Sequence, residues 1–392
     1  MAMSRAACCP RPSREGPCLK TMLSPQNFWE DLFAVRAGEA GGVRVDMRVV
    51  AKHRRPFLLL PCQRRAAVVS LRLYPAQTPR ARAARAILSG LLRAAAPFGA
   101  KRITFTVSAD DPFAQFLSSL AGGPKRGLPM LGVLAGNPAS DGQRFLLLVF
   151  DARQVPVAVV KAGLSERAKS LIEKEESFLA AVPPNTGGVP RLRAVFQYSR
   201  LRALALDFFA GDSPRPRDEG ALPELLSSWV DPQRTIALDQ SSDWVRLKSA
   251  AAANELFGLL ARRLRGRTFR AAIQHGDFAP WNVKVSSSGA WIVLDWERGE
   301  LAGIPGWDWF HYVIQPAILV ERLRAPDLVR RVEVLLTSEA FRSYADRAGI
   351  IGCERELVLA YLLHAAEVIK PSEGLAPTCA LLRELAARWR QG

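Results

Sequence analysis

Apolar residues follow two rhythms along the chain, and the change from one to the other falls near residue 222. Before it, apolar residues come in short runs bounded by Gly, Pro, Asn and Asp, the pattern of strands and turns. FLLLP (57–61), AAVVSLRLY (66–74), RITFTV (102–107), LGVLAG (131–136), RFLLLVF (144–150), VAVVKA (157–162), RAVFQY (193–198) and RALALDFF (202–209) read as strands. The connections NPASDG and DARQVP are short and polar, so 131–162 is expected to form a three-stranded antiparallel meander. Helical spacing is found here in 24–35, with Ser24 or Asn27 as N-cap, in 79–95, in the stretch that precedes 121–129, and in 165–182, where Leu171, Ile172, Phe178, Leu179 and Val182 share one side. From Leu222 onward the spacing is mainly helical, with one strand-rich interruption at 272–296.

These rhythms predict an α+β chain in three parts. Residues 1–128 are a loose leader followed by a small α+β accessory unit. Residues 129–209 are a small antiparallel β lobe, and 210–392 a mainly helical lobe. The Gly- and Pro-rich segment 121–129 marks the first boundary, and a connector near Asp207–Gly211 the second. Neither an internal repeat nor a low-complexity tract is present.

Composition narrows the class. Apolar residues make up 49% and charged residues 23%, proportions of a folded chain. The apolar runs are strand-sized, well short of the ~20 residues of a membrane-spanning helix. The leader contains Pro10, Pro12 and Pro17 and does not read as a secretion signal. Six scattered cysteines (Cys8, Cys9, Cys18, Cys62, Cys353 and Cys379) suit free thiols in a reducing cytoplasm better than a disulfide framework. The net charge of +17 is lopsided: Met1 to Met130 hold 21 basic and 7 acidic residues, and the rest is nearly balanced. Such a segment can meet nucleic acid or an anionic surface. Its basic residues are not interleaved with aromatics as in single-strand binders, and Arg and Ala recur throughout, so the excess is read first as compositional.

The chemistry concentrates in IQHGDFAPWNVKVSSSGAWIVLDWERG (273–299). Asp277 and Asn282 stand five apart on a segment that Pro280 keeps from being a regular helix. SSSG is a hairpin turn, and Asp295 ends the apolar run that follows it. Loop and strand end therefore come side by side, both presenting oxygen. Hard oxygen ligands suit Mg2+ completed by substrate phosphates. A carboxylate left free of the metal can orient a hydroxyl and take its proton. Phosphoryl transfer needs both parts, and His-x-Asp-x4-Asn is the spacing of the protein-kinase catalytic loop. Other motif classes are missing: no G-x4-G-K-[ST], no G-x-S-x-G and no H-E-x-x-H.

HGDFAPWNV and VLDWE resemble the HGDxxxxN loop and the metal motif of the aminoglycoside phosphotransferase and choline kinase group, over roughly residues 129–392. The resemblance implies a bilobal protein-kinase-like fold that binds ATP and Mg2+ between its lobes. By the same resemblance Lys161 of VAVVK holds the α/β-phosphates and Glu175 pairs with it. The loop Gly136 to Gly142 covers the phosphates, and adenine meets the connector at Asp207, Phe208 and Phe209. Asn282 and Asp295 hold magnesium, Asp277 is the catalytic base, Asp308 braces the loop, and Trp281 lines the acceptor pocket. The implied reaction moves a γ-phosphate to the hydroxyl of an aminoglycoside, choline, a sugar or a similar small molecule.

Each residue also has a plainer reading. Glu175 lies in a charge run, EKEE, usually a solvated helix face; Asp295 suits an Asx turn; His275 suits a loop anchor. Two other functions stay open: a kinase-like protein that binds nucleotide without turnover, and a protein that acts through its basic first third.

Overall fold

The computed structural model describes residues 28–33, 42–52, 55–74, 79–94, 101–122, 127–136, 142–371 and 373–390. The leader, the expected caps Ser24 and Asn27, three of the cysteines and most of the loop 136–142 lie outside the described residues. Among those described, Cys62, Cys353 and Cys379 are free thiols. No described helix is long and apolar enough to cross a membrane.

The first 128 residues contribute α1 (Phe28–Leu32), β1 (Val43–Lys52), β2 (Arg55–Pro61), α2 (Arg64–Ser70), α3 (Pro79–Arg93), β3 (Lys101–Val107) and α4 (Pro112–Leu120). The next part holds β4 (Leu131–Ala135), β5 (Arg144–Phe150), β6 (Pro156–Gly163), α5 (Glu166–Ala181), β7 (Leu192–Tyr198) and β8 (Leu201–Asp207). Then come α6 (Leu222–Ser228), β9 (Val230–Ala237), α7 (Ser242–Ala250), α8 (Glu255–Arg263), β10 (Thr268–Gln274), β11 (Val283–Val285), β12 (Trp291–Val293) and β13 (Glu300–Gly303). Helices α9 (Trp307–Leu319), α10 (Ala325–Thr337), α11 (Glu339–Ala348), α12 (Glu354–His364) and α13 (Leu375–Arg390) finish the chain.

One eight-stranded antiparallel sheet, in the order β3-β1-β2-β4-β5-β6-β8-β7, runs through the first two parts. The first 128 residues share this sheet with the residues that follow, since β2 pairs with β4 at Leu58↔Leu134 and Leu59↔Val133. Pleating gives the sheet two faces. Leu147, Val149, Val160, Ala162, Ala203 and Ala205 face α1 and α4, against Phe28, Trp29, Phe113 and Leu117. On the opposite face the register aligns two rows, Gly132–Leu148–Val159–Leu206 and Leu134–Leu146–Lys161–Leu204. Helix α5 and the helical lobe cover the β8 end of these rows, with Ile172, Phe178, Leu204 and Leu206 in the core of that lobe.

The stretch 66–74, expected as a strand, is instead α2 followed by a single 3-10 turn, Leu71–Leu73. Val68 and Val69 favour extended backbone locally. Packing overrides them: Ala66, Ala67 and Ser70 are fully buried on one side, and Ser70 donates back to the Ala66 carbonyl at 2.8 Å. The exposed, Pro-containing β9 gives almost no apolar signal, and it forms an edge beside β10 in a second, three-stranded sheet.

Candidate active site

Strand β6 and helix α5 meet first. Ser165 caps α5 by accepting from the Ala168 N–H, which fixes the helix against the strand. The helix carries Glu175 inward, 0% exposed, against Lys161, 6% exposed. Lys161 Nζ donates to both carboxylate oxygens of Glu175, at 2.7 and 2.8 Å. The same ammonium donates to Asp295 Oδ1 at 2.7 Å. Neither Glu175 nor Asp295 therefore keeps the solvated role that its local sequence allows. Glu176 and Glu173, the neighbours on α5, go to Arg202 instead.

Asp295 lies two residues beyond β12 rather than at its last position, with φ +77°. That left-handed backbone costs a non-glycine residue about 1 kcal/mol and turns the carboxylate back toward β6. The next N–H, of Trp296, reaches Glu175 Oε1 at 3.3 Å, and the Trp296 ring stacks on Phe178 of the same helix. Burial opposes charge on Asp295, but Lys161 and then Arg144 outweigh it and hold the carboxyl far below the ordinary range. Burial likewise opposes charge on Lys161, and Asp295 and Glu175 together raise its pKa above the usual value.

The segment 275–282 is held from three sides. Asp308, at the start of α9, accepts from the N–H groups of His275 at 2.6 Å and Gly276 at 3.0 Å. Burial pushes the Asp308 carboxyl up to about 6, with those two bonds working the other way. Gly276 has φ +77°, and a Cβ there would lie 2.9 Å from the Arg298 Cβ. The His275 ring is fully buried. Its Nε2 meets the Leu294 carbonyl at 2.9 Å and so carries the proton, leaving Nδ1 to accept from the Asp277 N–H at 3.2 Å. Burial lowers its pKa to about 4, which keeps it a neutral anchor.

Asn282 Nδ2 donates to the Asp277 carbonyl at 2.9 Å and to Asp277 Oδ2 at 3.1 Å. The Leu294 N–H returns to the Asn282 carbonyl at 2.7 Å, and this cross-hairpin bond sets Asn282 opposite Leu294, the residue before Asp295. With its amide nitrogen committed, Asn282 keeps Oδ1 for a ligand, and Asp295 keeps Oδ2. Among the described residues no three His, Cys, Asp or Glu side chains are grouped to hold a metal. Two hard oxygen donors beside a lysine suit Mg2+ that draws its remaining ligands from phosphate and water.

Two contacts had no signal in the sequence. His311, one turn into α9, sits 3.1 Å from Asp277 Oδ1 through Nε2, and its Nδ1 is 3.1 Å from the Tyr361 hydroxyl. Burial disfavours charge on Asp277, but the bond from His311 and its field hold the carboxyl below the usual value. Arg144, at the start of β5, pairs with Glu297 and lies 3.4 Å from Asp295 Oδ1. The signal for both lay in the fold, since each partner is far away in the sequence.

The other expected residues make these contacts within the chain. Gly136 follows β4, and its carbonyl accepts from Gln143 Nε2 at 3.1 Å; the loop between them lies outside the described residues. At the connector, the N–H of Asp207 is engaged by the Arg191 carbonyl and that of Phe208 by the Val157 carbonyl. Phe208 also packs into a small cluster with Val69, Leu73, Leu148 and Val159. Trp281 is half-buried within the loop, whereas Trp291, Trp296, Trp307 and Trp309 belong to the core. Two cavities, of about 330 and 610 Å³, lie beside α5 and beside the connector; neither is lined by Lys161, Asp277, Asn282 or Asp295.

The fold is α+β, and the site brings together a lysine on β6, a glutamate on α5, the loop 275–282 and Asp295 after β12. Neither protein-family models nor curated proteins match the chain. Among solved structures it is similar to a thermostable mutant of aminoglycoside phosphotransferase APH(4)-Ia in ternary complex with ADP and hygromycin B. That likeness has 12% identity, covers 70% of this chain and 97% of that one, and has a TM-score of 0.45. It is also similar to choline kinase from Cryptosporidium parvum Iowa II, at 11% identity, 66% and 89% coverage, and a TM-score of 0.40.

Proposed function

We propose that the protein is a phosphotransferase that moves the terminal phosphoryl group of a nucleoside triphosphate to the hydroxyl of a small molecule. The observation that carries this reading is the buried Glu175–Lys161–Asp295 chain closing beside Asp277 and Asn282. A structural ion pair needs only one carboxylate. A lysine shared between two, with a third carboxylate aimed from the facing loop, makes a cationic seat for phosphate beside an acceptor base.

Lys161 would bind α/β-phosphate oxygens, held in place by Glu175. Asn282 Oδ1 and Asp295 Oδ2 would hold Mg2+, which when bound neutralises phosphate charge. Asp277 would accept a hydrogen bond from the substrate hydroxyl and take its proton as oxygen attacks the terminal phosphorus. The bond from that phosphorus to the bridging oxygen breaks, and the nucleoside diphosphate leaves with the electron pair. Asn282 and His311 orient the two carboxylate oxygens of Asp277, so the base needs no reorganisation when the acceptor arrives.

The test is transfer of label from γ-labelled ATP to a panel of aminoglycosides, choline, sugars and related alcohols. One acceptor should become labelled by the wild type and stay unlabelled with Asp277→Asn, a loss of about 10²-fold or more. Transfer undiminished in Asp277→Asn would remove Asp277 as base.

A further inference from the structure

The phosphate end of the proposed cleft is assembled, but its other end is covered by the chain's own first third. A nucleotide with its phosphates on Lys161 must lay its base along the same face of the sheet, toward the connector. That path runs over Leu146 and Leu148 on β5, over Val159 two residues before Lys161, and up to Phe208. Leu73 of the turn Leu71–Leu73 packs into both apolar clusters on this path, one with Leu134 and Leu146, the other with Leu148, Val159 and Phe208. Helix α2 presses the turn onto the sheet. Its Ser70 lies over Gly132, where a Cβ would come within 2.3 Å of the Ser70 hydroxyl oxygen.

We propose that the turn Leu71–Leu73 is an internal lid on the base end of the nucleotide site, and that it must swing aside before a nucleoside triphosphate binds fully. This rests on the phosphotransferase reading and adds its regulation.

Leu71 is buried against Leu58, Leu60 and Leu134 and anchors the turn, whereas the contacts that must part, at Leu73, Leu146, Val159 and Phe208, are apolar and only half-buried. Arg72 opens onto the cavity of about 610 Å³ beside the connector, which gives the turn room to move, while the apolar contacts favour closure.

The experiment compares binding of Mg-ATP and Mg-tripolyphosphate to the full chain by calorimetry. Tripolyphosphate needs only the phosphate end; ATP needs both. In the wild type, ATP should bind no more than about threefold tighter than tripolyphosphate, since a closed lid divides apparent affinity by the open fraction. Leu73→Asp should tighten ATP by about tenfold or more and leave tripolyphosphate within about twofold. Gly132→Ala reaches the same end from the sheet side, by pushing Ser70 and α2 off it, and stands in if Leu73→Asp does not fold. Wild-type ATP binding more than tenfold tighter than tripolyphosphate would overturn the lid, as would two folded variants with an unchanged ratio. If neither ligand binds any variant, or if Lys161→Ala binds tripolyphosphate as the wild type does, the phosphotransferase reading itself fails.

Discussion

Asp277 is the side chain on which the proposed chemistry turns, and its geometry is set by one residue from the loop and one from α9. His311 donates to Oδ1 and Asn282 to Oδ2. His311→Leu should leave the carboxylate free to rotate, lowering kcat by about 10-fold or more with little change in KM for nucleotide. His311→Gln, which can still present an N–H, should recover much of that loss; equal losses in both variants would reduce His311 to packing. Asp295 offers a second test, because its charge and its backbone can be separated. Asp295→Asn tolerates the left-handed φ but removes the charge that Lys161 and Arg144 stabilise, so it should lose magnesium-dependent tripolyphosphate binding and melt below the wild type. Asp295→Ala should lose the same binding and about 1 kcal/mol more stability, read by denaturant unfolding. Residues such as Asp277, Asn282 and Asp295 were legible because local chemistry fixes their spacing. Arg144 and His311 were not, because each meets its carboxylate only after lobes more than a hundred residues apart, or a loop and a helix, have packed.

Among the elements, the hairpin β11–β12 and the start of α9 do most to position the site, and both act through backbone bonds. Asp308 ties the start of α9 to the loop after β10 by accepting the N–H groups of His275 and Gly276, and the His275 ring in turn meets the Leu294 carbonyl just beyond the hairpin. The pKa of Asp308, raised by burial from 3.8 to about 6, makes the brace pH-dependent. The fold favours the protonated carboxyl, so that contribution to stability is complete below about pH 4 and is lost as pH rises through 6. Activity should run the opposite way over the same window, because the ionised carboxylate accepts both N–H bonds and a protonated one holds them less firmly. Asp308→Asn should flatten this window in a stability profile and weaken the loop at all pH values. A wild-type profile of the same shape as that of Asp308→Asn would remove Asp308 as its source. Elements such as β5, β6 and α5 were legible because burial leaves its period in the sequence, whereas β1 was not read although it lies inside the sheet, since Arg44, Asp46 and Arg48 interrupt its apolar positions. Helix α2 was misread because Val68 and Val69 carry a strand preference that only contact with the sheet overrules.

At the scale of the whole molecule, the sequence suggested a boundary at 121–129, and what spans it is a single sheet. Strand order is set by non-local pairing, which no local pattern encodes: β4 follows β3 in the chain but lies beside β2. The consequence is that the lobe bearing Lys161 should not stand alone. A chain beginning at Pro129 would lose β2, leaving the β4 edge unpaired. It would also lose Phe28, Trp29, Phe113 and Leu117, which cover one face of the sheet, and Leu58, Leu60 and Leu71, which cover the other. Each such side chain contributes about 1.5–3 kcal/mol when buried, so removing several together exceeds the ~5–15 kcal/mol net stability of an ordinary domain. The truncated chain should therefore aggregate or melt far below the full protein, and adding back residues 1–128 in trans should restore little, because the two pieces share strands rather than a docking surface. A truncated chain that stayed monomeric and melted with the full protein would show that the first third is attached to the lobe rather than part of it. The lid proposed above would then belong to a separable regulator instead of to the body of the fold.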